Sequence, residues 1–349
     1  MRNILEICLS PYAGGLELYM KLITKELQTK AVINKESKLK DIFENENLQY
    51  YEISRYDFFK LARIIDREKI DIVHLHWTKD IPVVVLAKLL SKRKPKIVQT
   101  RHMHMTRFKD DFYHKFLYKN IDTIIAVTNL VNEQLNRFIP KNISPKIITS
   151  YIGANKPKVL TYEEKNSLKK SLGLKEEFIV TIVGRVEEAK GQDIVLKAVE
   201  MLKEDGLNIK TLIVGGPSDK KYFEDVKKEN KDAIFTDFVS NPTYFMQISD
   251  CLVLATRKET FGLVLIEAMR CNVCVLASNS GGPLEIIEDN VSGLLFETMS
   301  SDDLSEKLKL IYEDKDLREK LALTGKEKAD KEYDSQTQFA RIIEILENT

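Results

Sequence analysis

The sequence is poor in features that mark several large protein classes. Its 54 Lys and Arg stand against 53 Asp and Glu, which argues against a nucleic-acid binder, whose domain carries a clear basic excess. No apolar run approaches the roughly 20 residues needed to span a bilayer. The N-terminal run Ile4-Leu5-Glu6-Ile7-Cys8-Leu9 is too short and too interrupted for a signal peptide and reads as a first buried strand. Four cysteines, Cys8, Cys251, Cys271 and Cys274, are spread thinly, as in a reducing cytoplasm. Cys271-x-x-Cys274 has no second pair and no nearby histidine, so it reads as two small buried hydrophobes rather than a zinc site. The Gly-x-Gly-x-x-Gly and P-loop strings are missing, which disfavours a dehydrogenase or a kinase. No Asp-x-Asp pair stands at a strand end; Asp302-Asp303 opens a late helix.

What is present is a chain of 349 residues with 43% hydrophobic content, long enough for two domains. Apolar runs alternate with amphipathic segments. Strands are expected at Asn3–Leu9, Ile70–Leu75, Lys96–Thr100, Thr123–Val127 and Lys146–Ile148. Helices are expected at Leu16–Gln28, Ile81–Leu90, Phe108–Lys119 and Leu130–Phe138. This alternation, with β-branched strands, predicts a parallel sheet covered on both faces, whose ligands bind beyond the carboxyl ends of the strands. Tyr151–Lys158 has turn residues and no periodicity, and reads as a linker. The pattern then restarts with strands at Phe178–Val183, Lys210–Val214 and Leu252–Ala255. The fold class is therefore α/β with two Rossmann-like parallel sheets, in domains 1–155 and 156–331, followed by a terminal helical segment, 332–349.

The strand-end loops carry the candidate chemistry. Gly14-Gly15 opens a helix and offers backbone N–H groups to an anion or sugar, or simply makes a tight turn. His102 follows a strand and should reach the ligand-binding edge, with His104 as a rival. His74, His76, His102 and His104 could in principle hold a metal, but no carboxylate or thiolate is evident beside them, so none is expected. Gly184-Arg185-Val186-Glu187-Glu188-Ala189-Lys190-Gly191 follows a buried strand and precedes a helix. There Arg185 can grip phosphate oxygens with its fork, and Lys190 is a mobile point charge. Glu259-Thr260-Phe261-Gly262-Leu263 leads into a helix whose start suits a phosphate. Glu259 and Glu267, acceptor-only when ionised, suit vicinal hydroxyls.

From Lys88 to Lys119 ten cations face only Asp110 and Asp111. Phe108, Phe112 and Phe116 form one helical stripe, more often core than membrane-facing. Basic residues interleaved with aromatics also suit anionic lipid, so peripheral membrane contact through 88–119 is the alternative expectation.

The string Glu259-Thr-Phe-Gly-Leu-Val-Leu-Ile-Glu267-Ala-Met, followed by Gly281-Gly282-Pro283-x-Glu285, resembles the donor signature of retaining glycosyltransferase family four, whose members have the GT-B fold. That resemblance implies two Rossmann-like domains facing across a cleft, with the last helix crossing back to the first domain. It implies a retaining, metal-independent transfer from a nucleoside-diphosphate sugar to a glycan or lipid-linked acceptor, in cell-surface polysaccharide or glycolipid synthesis at the cytoplasmic side of a membrane. It assigns the diphosphate clamp to Arg185 and Lys190. Glu259 and His102 (the latter in Thr-x-His) fall to the transferred sugar, and Glu267 to the ribose. Gly14, Gly15, Gly184 and the backbone of Thr260, Phe261, Gly262 and Leu263 fall to donor contacts, and Phe238 and Val239 lie near the nucleobase. No cofactor and no metal are implied. The family's Gly-x-Pro is replaced by Asn272-Val273-Cys274, and its Asn-Gly by Ile152-Gly153. A nucleotide-sugar epimerase of the same fold and a non-catalytic nucleotide-sugar binder are the alternatives.

Overall fold

A computed structural model describes residues 2–349. The chain forms two compact units, Met1–Tyr151 with Gln336–Thr349, and Ile152–Ser335.

The first unit holds seven strands: β1 (Ile4–Cys8), β2 (Lys30–Asn34), β3 (Tyr50–Ile53), β4 (Ile72–Leu75), β5 (Lys96–Arg101), β6 (Thr123–Ala126) and β7 (Lys146–Thr149). They pair in parallel in the order β3-β2-β1-β4-β5-β6-β7. The β1 and β4 side chains are all buried, because helices cover both faces and leave no solvated side. One face packs Leu5, Ile7, Val73 and Leu75 with Leu61, Ile65, Val84 and Leu117; the other packs Cys8, Ala31 and Ile33 with Met20 and Phe43. The terminal helix Ser335–Glu347 belongs largely to this unit, where Arg341 donates to the Thr149 carbonyl at 2.8 Å.

The second unit holds β8 (Phe178–Val183), β9 (Ile209–Val214), β10 (Ile234–Phe235), β11 (Cys251–Leu254), β12 (Cys274–Ser278) and β13 (Leu294–Phe296). Their parallel order is β10-β9-β8-β11-β12-β13. Arg270, buried at the end of the helix Leu263–Arg270, donates to the Ala154 carbonyl and pairs with Asp334 at 3.1 Å and Asp330 at 3.0 Å. It thereby ties the first and last segments of this unit together.

Several local expectations change. The strands β2, β3 and β13 lie where no strand is expected from the sequence. The helix expected from Phe108 begins at Phe112, because the Asp111 carboxylate caps it by accepting from the His114 N–H at 3.0 Å. Phe108 instead packs edge-on against Phe138. Cys274 is buried on β12, but Cys271 is only half-buried, so the two are not a matched pair in the core. Asn272 takes φ +61°, the left-handed conformation that Asn tolerates in place of glycine.

Candidate functional site

In the second unit the loops beyond the strand ends form one rim, and close backbone approach holds it together. A side chain on Gly281 would place its Cβ 2.1 Å from the Glu259 carbonyl oxygen, and one on Gly282 would sit 2.2 Å from that of Phe261. The Gly282 N–H donates to the Glu259 carbonyl at 3.0 Å. Gly281-Gly282 therefore fixes the Glu259–Phe261 loop. Gly262 caps the following helix with φ +104°, a backbone that L side chains rarely adopt. Leu263 opens that helix, and in its first turn the Leu265 N–H already donates to the Gly262 carbonyl at 2.9 Å. On the neighbouring loops, a Cβ on Gly215 would fall as close to the Gly184 carbonyl oxygen, at 2.1 Å.

Lys190 reaches Glu259 across this rim, Nζ to Oε2 at 3.4 Å, with both side chains mostly shielded. The other Glu259 oxygen accepts from the Thr260 N–H at 3.2 Å. Arg185 does not join them. It is 67% exposed and pairs with Glu187 at 3.0 Å. The Glu187 end of this pair is mostly shielded, while the Arg185 guanidinium stands open to solvent. Glu267 is half-buried on the helix, and burial pushes its carboxyl up to about 7. The Phe261 ring is buried against Tyr333. Phe238 is 82% exposed in the loop beyond β10, and half-buried Val239 packs beneath it on the unit's core.

The first unit is different. The Gly14 N–H already donates to the buried Glu17 carboxylate at 2.9 Å, so the helix start offers an exposed Gly15 rather than a free pair of glycine amides. His102 is half-buried just beyond β5, with Nε2 3.5 Å from His76 Nδ1. His104 turns to Gln134, at 3.3 Å. Arg101, buried, holds the loop by donating to Thr78 Oγ1 at 2.7 Å and to the carbonyls of Met103 and His104 at 2.7 and 2.9 Å.

His74 and His76 do not line a loop edge: both are buried, and each lies beside the Glu6 carboxylate on β1. The absence of a carboxylate near the histidines, expected from sequence, is thus corrected. Asp80 is a second carboxylate that the motif reading missed. It accepts from the Leu9 N–H at 2.8 Å, and burial pushes it up to about 7. A lone Glu inside the apolar run Ile4-Leu5-Glu6-Ile7-Cys8 was the available signal for the first of these.

The stripe Phe108, Phe112, Tyr113 and Phe116 is exposed, Phe112 at 88%; of its neighbours only Leu117 and Tyr118 are core. Several cations of 88–119 are already engaged: Lys88 and Lys96 with Asp122, Arg93 with Asp71, and Lys94 with the Leu89 carbonyl.

Comparison with known proteins matches residues 164–328 to the family of glycosyl transferases group 1 and residues 7–129 to glycosyl transferase 4-like proteins. An uncharacterized glycosyltransferase of Methanocaldococcus jannaschii is 29% identical over 344 residues, covering 91% of this chain and 90% of that protein. The N,N'-diacetylbacillosaminyl-diphospho-undecaprenol alpha-1,3-N-acetylgalactosaminyltransferase of Campylobacter jejuni is 25% identical, covering 83% and 80%. The crystal structure of Anabaena HepE in complex with UDP and glucose superposes with a TM-score of 0.89 at 18% identity, over all of both chains.

Proposed function

The chain belongs to the family of group 1 and 4-like glycosyltransferases, with the GT-B fold, and from that premise we propose that it moves a sugar from a nucleoside-diphosphate sugar to a glycan or lipid-linked acceptor with retention and without a metal. The observation that carries the reading is the rim of the second unit. There Lys190 and Glu259 meet at 3.4 Å, with the exposed Arg185 paired to Glu187 and Glu267 on the adjoining helix. Lys190 and Arg185 take the diphosphate, Glu267 the ribose hydroxyls, and Glu259 the transferred sugar, which it can accept from once a phosphate has drawn Lys190 away. Phe238 offers an exposed ring to the base. HepE is a UDP and glucose complex, so uridine is the first base to test.

In the reaction the bond from the anomeric carbon to the phosphate oxygen breaks, and the bond to the acceptor oxygen forms on the same face. The acceptor proton passes to the departing phosphate oxygen, so no strong protein base is needed. The two cations offset the charge that develops on that oxygen, the task a metal performs elsewhere. His102 is the first unit's contribution to the transferred sugar, and that unit otherwise serves the acceptor.

A lipid-linked acceptor accords with the Campylobacter relative, whose name specifies an undecaprenol diphosphate substrate. No helix among the described residues is long and apolar enough to cross a membrane. The exposed stripe Phe112, Tyr113 and Phe116 beside Lys115 and Lys119 is the surface by which the chain would reach lipid. Product formation from radiolabelled UDP-sugars, with and without EDTA, tests the reading. Turnover that requires an added divalent ion contradicts metal independence, and epimerised sugar without acceptor contradicts transfer.

A further inference from the structure

The cluster Glu6, His74, His76 and His102 is not accounted for by the donor rim. Glu6 is fully buried inside β1, and its Oε2 lies 2.8 Å from His76 Nε2 and 2.9 Å from His74 Nδ1. Burial pushes the Glu6 carboxyl up, but the two histidines outweigh it and hold it at about 2. Glu6 is therefore ionised and acceptor-only, and a bare imidazole nitrogen at 2.8 Å from it would be repelled. His76 must carry its proton on Nε2.

The consequence runs outward. Burial pushes His76 down to about 4, so its ring is neutral and Nδ1 is a bare acceptor. That atom faces His102 Nε2 at 3.5 Å. His102 is itself held well below the ordinary range by burial and by the neighbouring His76, His74 and Arg101, so its ring is neutral too. One edge-on ring, Tyr19, packs against both histidines at 5.9 and 5.1 Å between centroids and limits their rotation. Behind His74, Nε2 is met by Thr100 Oγ1 at 2.8 Å.

We infer that Glu6 and His76 form a positioning relay that places the His102 proton on Nε2 and leaves its Nδ1 as a hydrogen-bond acceptor for a sugar hydroxyl. Glu6 and His76 touch no substrate; they act through His102. The inference rests on the proposed assignment of His102 to the transferred sugar, but the tautomer itself does not. It also implies which partner suits the site: a hydroxyl that donates, as an unmodified sugar OH does, rather than an acceptor-only group such as a carboxylate.

The same three groups, Glu6, His74 and His76, could in composition hold a metal ion, since their ligand atoms lie within 4.8 Å of one another. The Glu6–His76 contact argues for a proton instead. Ligands bound at about 2.0–2.1 Å in a tetrahedral site stand about 3.3 Å apart, whereas His76 Nε2 and Glu6 Oε2 are hydrogen-bonded at 2.8 Å. His74 Nδ1, 2.9 Å from the same oxygen, makes no hydrogen bond and takes no part in the relay. All three side chains are also without solvent exposure, which leaves no visible route for an entering ion.

The test is imidazole NMR on the full chain labelled with nitrogen-15 histidine, with His102 assigned by loss of its signals in His102→Gln. The expected spectrum at pH 7 shows His102 neutral and protonated on Nε2, and this is independent of any donor or acceptor. His76→Leu removes the acceptor and should let His102 populate both tautomers, with kcat falling about tenfold and KM for the donor unchanged. His76→Gln can still present an oxygen and should restore a single tautomer and most of kcat. Wild-type His102 protonated on Nδ1, or an unchanged tautomer in His76→Leu, overturns the relay. So does stoichiometric zinc in the purified protein with metal-shifted His74 and His76 signals. If His76→Leu does not fold, the wild-type tautomer decides. A correct tautomer with no transferase activity would leave the relay standing and count against the proposed function alone.

Discussion

The two units run the same parallel order, with the first strand flanked by the second and the fourth, yet they handle charge in opposite ways. Around the second sheet the charged groups of the candidate site stand at the rim, the buried Arg270 being the exception in that unit: Arg185 is exposed, and Lys190, Glu259 and Glu267 are partly so. Around the first sheet the charged groups of the core are closed in, with Glu6, His74, His76, Asp80 and Arg101 all buried and most tied to protein partners. An exposed charge such as Arg185 is available to a charged ligand and costs the fold little, whereas the half-buried Glu267 is ionised at some cost. Buried charges must be satisfied internally, and removing one partner is expensive. Under the proposed function the second sheet would bind the leaving diphosphate, while the first would hold its histidines in fixed geometry.

That contrast can be broken by experiment. The largest effect is expected at the rim: Arg185→Ala should cut turnover by about a hundredfold to a thousandfold with no loss of melting temperature, as measured by diphosphate release and by thermal unfolding. A comparable loss of stability would erase the distinction between the units. The next effect lies in the first unit. The folded-state pKa of Asp80 is raised to about 7 from an unfolded value near 4, so its contribution is fully present below pH 4 and is lost as pH rises through 7. Asp80 alone should lower stability in urea by on the order of 2 kcal/mol between pH 5 and 7. Glu267, also raised to about 7, adds to the slope with the same sign, so Asp80→Asn should reduce the slope and leave the Glu267 share. Glu6 works with the opposite sign: its lowered pKa contributes stability above about pH 4.5 that disappears as pH falls through 2.

A smaller effect belongs to Glu267, which is raised to about 7 by burial. Only its ionised form accepts from two ribose hydroxyls, so nucleotide affinity should weaken as pH falls below 7. Glu267→Gln should lose about tenfold in affinity and its pH dependence with it, as titration calorimetry would record; an unchanged profile would remove Glu267 from the ribose site. The smallest effect is at the aromatic stripe. Lys115→Ser with Lys119→Ser should weaken binding to phosphatidylserine vesicles by about fivefold per lysine while leaving soluble-donor binding intact. Undiminished vesicle binding would place the lipid surface elsewhere.

How far the sequence could be read follows the same division. Rim residues are legible because loops that approach a ligand need particular residues at particular spacings. Gly262 at φ +104° and Gly281 against the Glu259 carbonyl leave strings that survive in one dimension. The alternation of β8, β9 and β11 with helices was likewise visible, since each carries an apolar run of three or four residues. Glu6, His74 and His76 could not be joined in the same way. β1 and β4 are adjacent in the sheet with Glu6 registered opposite His74, but 68 residues separate the two, and no local pattern records which strands pair. The Phe108–Phe116 stripe has the spacing of a core face and is not one, because Asp111 restarts the helix and the face it turns has nothing packed on it.

The most direct test of the central claim is a thermal-shift titration with UDP, GDP, ADP and CMP, each with and without EDTA, in the wild type and in Arg185→Ala. A ligand bound by the folded state raises the melting temperature in proportion to its occupancy. The account predicts stabilisation by one nucleoside diphosphate, UDP first, that is indifferent to EDTA and disappears in Arg185→Ala. Stabilisation that EDTA abolishes, or that survives intact in Arg185→Ala, would contradict the metal-free cationic clamp on which the account depends.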